Sequence, residues 1–207
     1  MYFSRFDAEL ASQQTLDALS ARCSPQRLVS MERFRRLSDR VDSCGVYALL
    51  RYALKREYGI DEKPYFYFGP FGKPILTNCR NIHFNLSHSH GLICAGVSDA
   101  PIGVDIQQTI SETGGVEELF CSEGERALLK GGIELTRIWA VKESYFKCVG
   151  TGIPERSAEH DICTSAEESF RSCGRYFTVL GICGGALAVC SERREKIHYV
   201  DPNELMS

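Results

Sequence analysis

Two hydrophobic periods alternate along this chain in blocks, and that order limits the folds open to it. Residues 7–22, DAELASQQTLDALSAR, carry apolar side chains at helical spacing. Residues 43–59, SCGVYALLRYALKREYG, do the same, with Ser43 suited to cap the helix and Gly59 to stop it. The aromatic stretch DEKPYFYFGPFGKPIL, broken by Pro and Gly, reads as short strands and turns. IHFNLSHS and LICAGVSD read as two strands joined near HSHG, and IGVDIQ as a third. Helical spacing returns in SEGERALLK (122–130) and LTRIWAVKESYFKCVG (135–150), and strand-like runs close the chain in RYFTVLGI, GALAVCS and KIHYV. Blocks of this kind, in place of a regular strand–helix series, predict an α+β fold. The two halves share a layout, helices first and strands after, so a pseudo-duplicated arrangement is open. There is no internal sequence repeat and no low-complexity linker, so the junction near residue 101 is expected to be packed.

The 207 residues suffice for one large core or two small ones. The formal net charge of −3 gives no global attraction for nucleic acid, so any anion site must be local. No apolar run approaches the roughly 20 residues that cross a bilayer. The ten cysteines include no C-x-x-C pair and many sit in apolar runs such as GLICAGV. With no basic flank and hydrophobic signal region in MYFSRFDAEL, they are expected to be reduced, mostly buried thiols in a cytoplasmic protein.

Several residues have the chemistry for a site. On a strand, Asp105 and Gln107 share one face while Val104 and Ile106 share the other. Two oxygen donors on one face can hold a hard cation such as Mg2+; alternatively they form a wet strand edge. On a helix, Trp139, Glu143 and Lys147 lie along one stripe, with Lys142 beside Glu143. The plain alternative is an amphipathic helix with a surface Glu143–Lys147 pair worth about 0.3–0.5 kcal/mol. Ser87 and His88 in FNLSHSHG can donate to a phosphate, or simply be surface or core residues. Lys73 in FGKP sits in a turn where a backbone can approach a ligand, or is solvated. Arg33, Arg35, Arg36 and Arg40 form the strongest basic stretch. P-loop, G-x-S-x-G and H-E-x-x-H patterns are absent from the sequence.

Taken in order, FGKP, FNLSHS, IGVDIQ and WAVKESYFK resemble the 4′-phosphopantetheinyl transferase superfamily of the surfactin-synthetase type (Sfp-type). The motifs span residues 71–147. The helical N-terminal region and the late GALAVCS strand also look similar. The resemblance implies transfer of the phosphopantetheine arm of coenzyme A to a serine of an apo acyl or peptidyl carrier protein. It further implies release of adenosine 3′,5′-bisphosphate, a requirement for Mg2+, two similar α+β halves, 1–101 and 102–207, related by pseudo-twofold symmetry with a coenzyme A cleft between them, and a monomer. Fatty-acid, polyketide, nonribosomal peptide and siderophore pathways are all open.

Residue by residue, the resemblance makes Asp105 a magnesium ligand and Glu143 both a ligand and the general base, with Gln107 as a further oxygen donor. Lys147 would support the reacting phosphate, and Lys142 would hold the pyrophosphate. Ser87 and His88 would bind phosphate, His88 at the 3′-phosphate. Lys73 would lie against the nucleotide, Trp139 would orient its helix, and Arg27 and Ser43 would reach the 3′-phosphate. This sequence departs from the family pattern at Gln107, where Asp-x-Glu is usual. It departs again at Asp42, where a basic residue is common, and at Ser30, where a lysine is common. Gln107 keeps open a non-catalytic relative that binds coenzyme A or a carrier protein, and the same oxygens would also suit a Mg2+-dependent phosphohydrolase.

Overall fold

The computed structural model describes residues 1–69, 71–77, 79, 81–111 and 114–207. Its elements follow the predicted blocks, with additions at both termini and short elements between them. Strand β1 (Tyr2–Arg5) leads into a 3-10 turn and then α1 (Gln13–Ser20), α2 (Pro25–Met31) and α3 (Leu37–Tyr58). The helix expected over 7–22 is split because the Ser12 hydroxyl accepts the Thr15 N–H at 3.2 Å and so starts a new helix at Gln13. Ser24 and Pro25 begin α2 in the same way, a signal the periodicity alone does not reveal. α3 starts six residues before the expected Ser43, which is therefore buried inside the helix and caps nothing.

Two four-stranded sheets follow. The hairpin β2 (Phe66–Phe68) and β3 (Pro74–Leu76) stands apart; Pro70, within that predicted run, lies outside the described residues. β4 (His83–Ser89) and β5 (Leu92–Ser98) turn at His90 and Gly91, both with positive φ, as a two-residue hairpin requires. A side chain at Gly91 would stand 2.3 Å from the Phe6 carbonyl, so glycine is needed for space as well as conformation. β6 (Gly103–Gln108) precedes α4 (Val116–Phe120), α5 (Glu123–Lys130) and α6 (Leu135–Val149). β7 (Ser169–Ser172), β8 (Arg175–Ile182), β9 (Gly185–Ser191), β10 (His198–Tyr199) and α7 (Pro202–Met206) complete the chain. The strand orders are β10-β1-β5-β4 and β6-β9-β8-β7.

Three cores hold this α+β arrangement together. α3 packs on β5 and β4 through Val46, Leu49, Leu50 and Ala53, opposite Ile93 and Ala95. α6 packs on β6 and β9 through Ile138, Ala140 and Val141, opposite Ala188 and Cys190. Between the sheets, Leu92, Cys94, Val104, Ile106, Leu187 and Val189 form a third core. β5 and β9 thus bury both faces, which explains why LICAGVS and GALAVCS read as continuous apolar runs.

The expected division at residue 101 needs one correction. β10 pairs in parallel with β1, and Val200 and Leu205 lie in the first core, so the chain end packs with the N-terminal half. All ten cysteines are free, and most are buried. No helix among the described residues is long and apolar enough to cross a membrane.

Candidate active site at the seam of the two sheets

β6 turns Gly103 and Asp105 towards α6, while Val104 and Ile106 enter the core between the sheets. A side chain at Gly103 would lie 2.0 Å from the Ser144 carbonyl and 2.3 Å from the Cys148 nitrogen, so its absence lets α6 lie directly on β6. One strand step further, Asp105 meets the side chains of α6. Its Oδ1 accepts from Lys147 Nζ at 2.6 Å and from Ser87 Oγ, on β4, at 2.7 Å. Lys147 also lies 3.7 Å from Glu143, one helical turn earlier, and 3.2 Å from Ser87 Oγ. Three predicted residues, Asp105 on β6, Ser87 on β4 and Glu143 on α6, therefore share the ammonium of a fourth, Lys147.

The electrostatics of this knot follow from burial. Burial opposes the Lys147 charge, but Asp105 and Glu143 outweigh it and raise the lysine's pKa. Burial raises the Glu143 pKa, with Lys147 pulling it back and Asp105 pushing it further up. Asp105 Oδ2 is buried and accepts no hydrogen bond from the described residues. Gln107 lies on the same face of β6, half-buried, its amide donating to the Gln108 carbonyl at 3.2 Å. Among the described residues no three His, Cys, Asp or Glu side chains form a ready metal cluster, so the donor set here is two carboxylates and an amide. A cavity of about 290 Å³ adjoins the pair, bordered by Phe71, Lys73, Asn85, Leu86, Glu143 and Lys147.

A second group lies nearby in the first half. His88 packs edge-on to Phe34, and burial, then Arg27 and Lys147, lower its pKa and favour the neutral ring. Arg27 donates through Nε and Nη2 to the Ser43 carbonyl at 2.8 and 2.6 Å, and the Ser43 hydroxyl is buried without a partner. Asp42, which would repel an anion if it faced this group, instead accepts the Gly91 N–H at 2.9 Å. Burial pushes its pKa up to about 6. Ser30 donates to the Gln26 carbonyl at 3.0 Å.

Two lysines spend their donors on partners other than those expected. Lys142 is fully buried, and its ammonium donates to Glu125 Oε2 at 2.7 Å and to the carbonyls of Ser157 and His160 at 2.9 and 2.6 Å. With its three donors spent in the core, it has none for a pyrophosphate, which corrects that expectation. Its partner Glu125 also accepts the N–H groups of Ser122, Ile162 and Cys163. The signal for Glu125 was the Ser122-x-x-Glu125 capping box at the head of α5. Lys73 is half-buried against the end of α6, donating to the carbonyls of Lys147, Cys148 and Ile102. Trp139 stacks on Phe120 with ring centroids 4.2 Å apart, in keeping with a packing role.

Comparison with known proteins bears on this site. Residues 101–181 match the family described as the 4′-phosphopantetheinyl transferase superfamily. The chain is 30% identical over 149 residues to the 4′-phosphopantetheinyl transferase psf-1 of Bacillus pumilus, covering 69% of this chain and 64% of that protein. It is 28% identical over 149 residues to the 4′-phosphopantetheinyl transferase Sfp of Bacillus subtilis (strain 168), covering 69% and 66%. It is 27% identical over 160 residues to the 4′-phosphopantetheinyl transferase gsp of Aneurinibacillus migulanus, covering 74% and 66%. The matched span is just under two thirds of the length of these relatives.

Proposed function

We propose that this chain, whose residues 101–181 match the 4′-phosphopantetheinyl transferase superfamily, is an enzyme that moves the phosphopantetheine arm of coenzyme A onto a carrier-protein serine. The acceptor is an apo acyl or peptidyl carrier protein, and the other product is adenosine 3′,5′-bisphosphate. The observation that carries this reading is the convergence of Asp105, Glu143 and Ser87 on Lys147 beside an open cavity. In this reading coenzyme A lies between the halves 1–101 and 102–207, with the chain end counted in the first, and the halves are related by the pseudo-twofold layout.

The donor set fits a hard divalent cation such as Mg2+. Asp105 offers a buried oxygen without a partner, Glu143 a second carboxylate, and Gln107 a neutral carbonyl. When bound, the ion supplies charge neutralisation for the diphosphate. The protein's own residues account for the rest. Lys147 steadies the reacting phosphate, and Ser87, whose hydroxyl donates to Asp105, holds that carboxylate in place. Glu143 takes the proton of the carrier serine. A bond forms from the serine oxygen to the phosphorus of the arm as the pyrophosphate P–O bond breaks, and the electron pair leaves on the nucleotide phosphate. Arg27, which bonds the Ser43 carbonyl and whose charge acts on His88, would with these two residues hold the 3′-phosphate.

The test is intact mass spectrometry of an apo carrier protein incubated with the chain, coenzyme A and Mg2+. A gain of one phosphopantetheine arm is expected, and Glu143→Ala should abolish it while leaving the cooperative melt in place. Coenzyme A binding without any gain would favour the non-catalytic reading that Gln107 motivates. Phosphate release without carrier modification would favour a phosphohydrolase.

A further inference from the structure

The last turn of an α-helix leaves carbonyl groups without intrahelical donors. At the end of α6, Lys73 supplies donors for two of them. Its ammonium donates to the carbonyls of Lys147 at 2.6 Å and Cys148 at 3.0 Å. It also reaches the Ile102 carbonyl at 3.4 Å, immediately before β6 begins. An ammonium has three donors, and all three are used, so none remains for a nucleotide phosphate. The positive charge also lies at the negative end of the helix dipole. The lysine stem crosses the helix end where Gly150, with φ of +80°, has no side chain; a Cβ there would touch Lys73 Cδ at 3.3 Å. Lys147 is thus held at both ends, its carbonyl by Lys73 and its ammonium by Asp105.

We propose that Lys73 is a positioning residue: from the β2–β3 hairpin it locks the carbonyl end of α6 against the head of β6, and so fixes where Lys147 meets Asp105. Burial lowers its pKa, in keeping with a cation that carbonyls alone compensate. The kinetic part of this proposal rests on the transferase reading above; the structural part does not.

The test compares the wild type with Lys73→Met by amide hydrogen exchange and steady-state kinetics. Exchange at the α6 amides of residues 146–150 should quicken about tenfold or more. At saturating coenzyme A, kcat should fall roughly tenfold to a hundredfold, as expected for a displaced catalytic group, while KM for coenzyme A changes little. Lys73→Gln, whose amide still reaches one carbonyl, should lie between the two, and it carries the test if the methionine variant does not fold. Unchanged exchange overturns the proposal. A raised KM with unchanged kcat also overturns it, because Lys73 would then be a nucleotide contact. If the wild type transfers nothing, the transferase reading fails, and the exchange result still decides whether Lys73 holds the helix end.

Discussion

Gln107 is the residue where this site departs most from the pattern it resembles. An amide can offer its oxygen to a cation but adds no negative charge beside Asp105 and Glu143. Gln107→Glu should therefore lower the Mg2+ concentration that half-saturates the initial rate. Identical half-saturation in the two proteins would show that position 107 does not face the ion. Asp42 supports a different prediction. Its pKa is about 6 in the fold, above the ordinary carboxylate value, because burial disfavours the charge. The Gly91 bond and His90 oppose that shift, and Asp39 adds to it. The native state thus holds this proton more tightly than the unfolded chain. Stability from this group is greatest below about pH 4 and is lost as pH rises through about 6, by roughly 3 kcal/mol at most. Asp42→Asn still accepts the Gly91 N–H through its side-chain oxygen. It should be more stable than wild type at pH 7 and lack that decline, which urea midpoints between pH 4 and 7 would reveal. Residue type and spacing put Asp105, Glu143 and Lys147 among the candidates, and the order of the motifs singled them out. The turn of Asp42 towards the β4–β5 hairpin could not be read in this way, because its partner Gly91 lies 49 residues away in the sequence.

Among the elements, α6 was visible as a helix, but what anchors it was not. WAVKESYFK puts two lysines close together, and no spacing rule separates the one that faces the cavity from the one that faces the core. The difference lies in what each meets. Lys142 finds Glu125, itself held by three backbone N–H groups, whereas Lys147 finds Asp105. Both members of the Lys142–Glu125 pair are wholly buried. Breaking such a pair strands a charge and costs about 3–5 kcal/mol. Lys142→Met should lose stability on that scale in denaturant titrations, and KM for coenzyme A in the folded fraction should stay near wild type. A marked rise in KM with little change in stability would return Lys142 to the pyrophosphate. The three short helices α2, α4 and α7 escaped the periodicity reading for a simpler reason: five to seven residues are too few to show a 3.6-residue repeat.

For the whole molecule, the block order of the sequence was enough for an α+β fold, but not for how the sheets meet. The outer edge of β6 is closed by side chains of β4, where another strand would usually pair. Asn85 Oδ1 accepts the Val104 N–H at 2.9 Å, Ser87 donates to Asp105, and Ser89 accepts the Gln108 N–H at 3.2 Å. Alternate residues of one strand thus set the position of the strand that carries Asp105. Single-strand patterning reports which residues share a face and says nothing of the strand opposite, so this polar seam was not legible. Neither was the pairing of β1 with β10, nearly the whole chain apart. The seam's two ends differ in burial, and that sets the last prediction. Asn85→Ala leaves a buried Val104 N–H without an acceptor, a loss of about 1–3 kcal/mol. Ser89→Ala removes a bond at the exposed end and should cost no more than about 0.5 kcal/mol. Because Val104 precedes Asp105, Asn85→Ala should also lower kcat, while Ser89→Ala should leave it nearly unchanged. Equal stability losses and equal rates for the two variants would mean that the inter-sheet core alone, and not the seam, holds β6 in place.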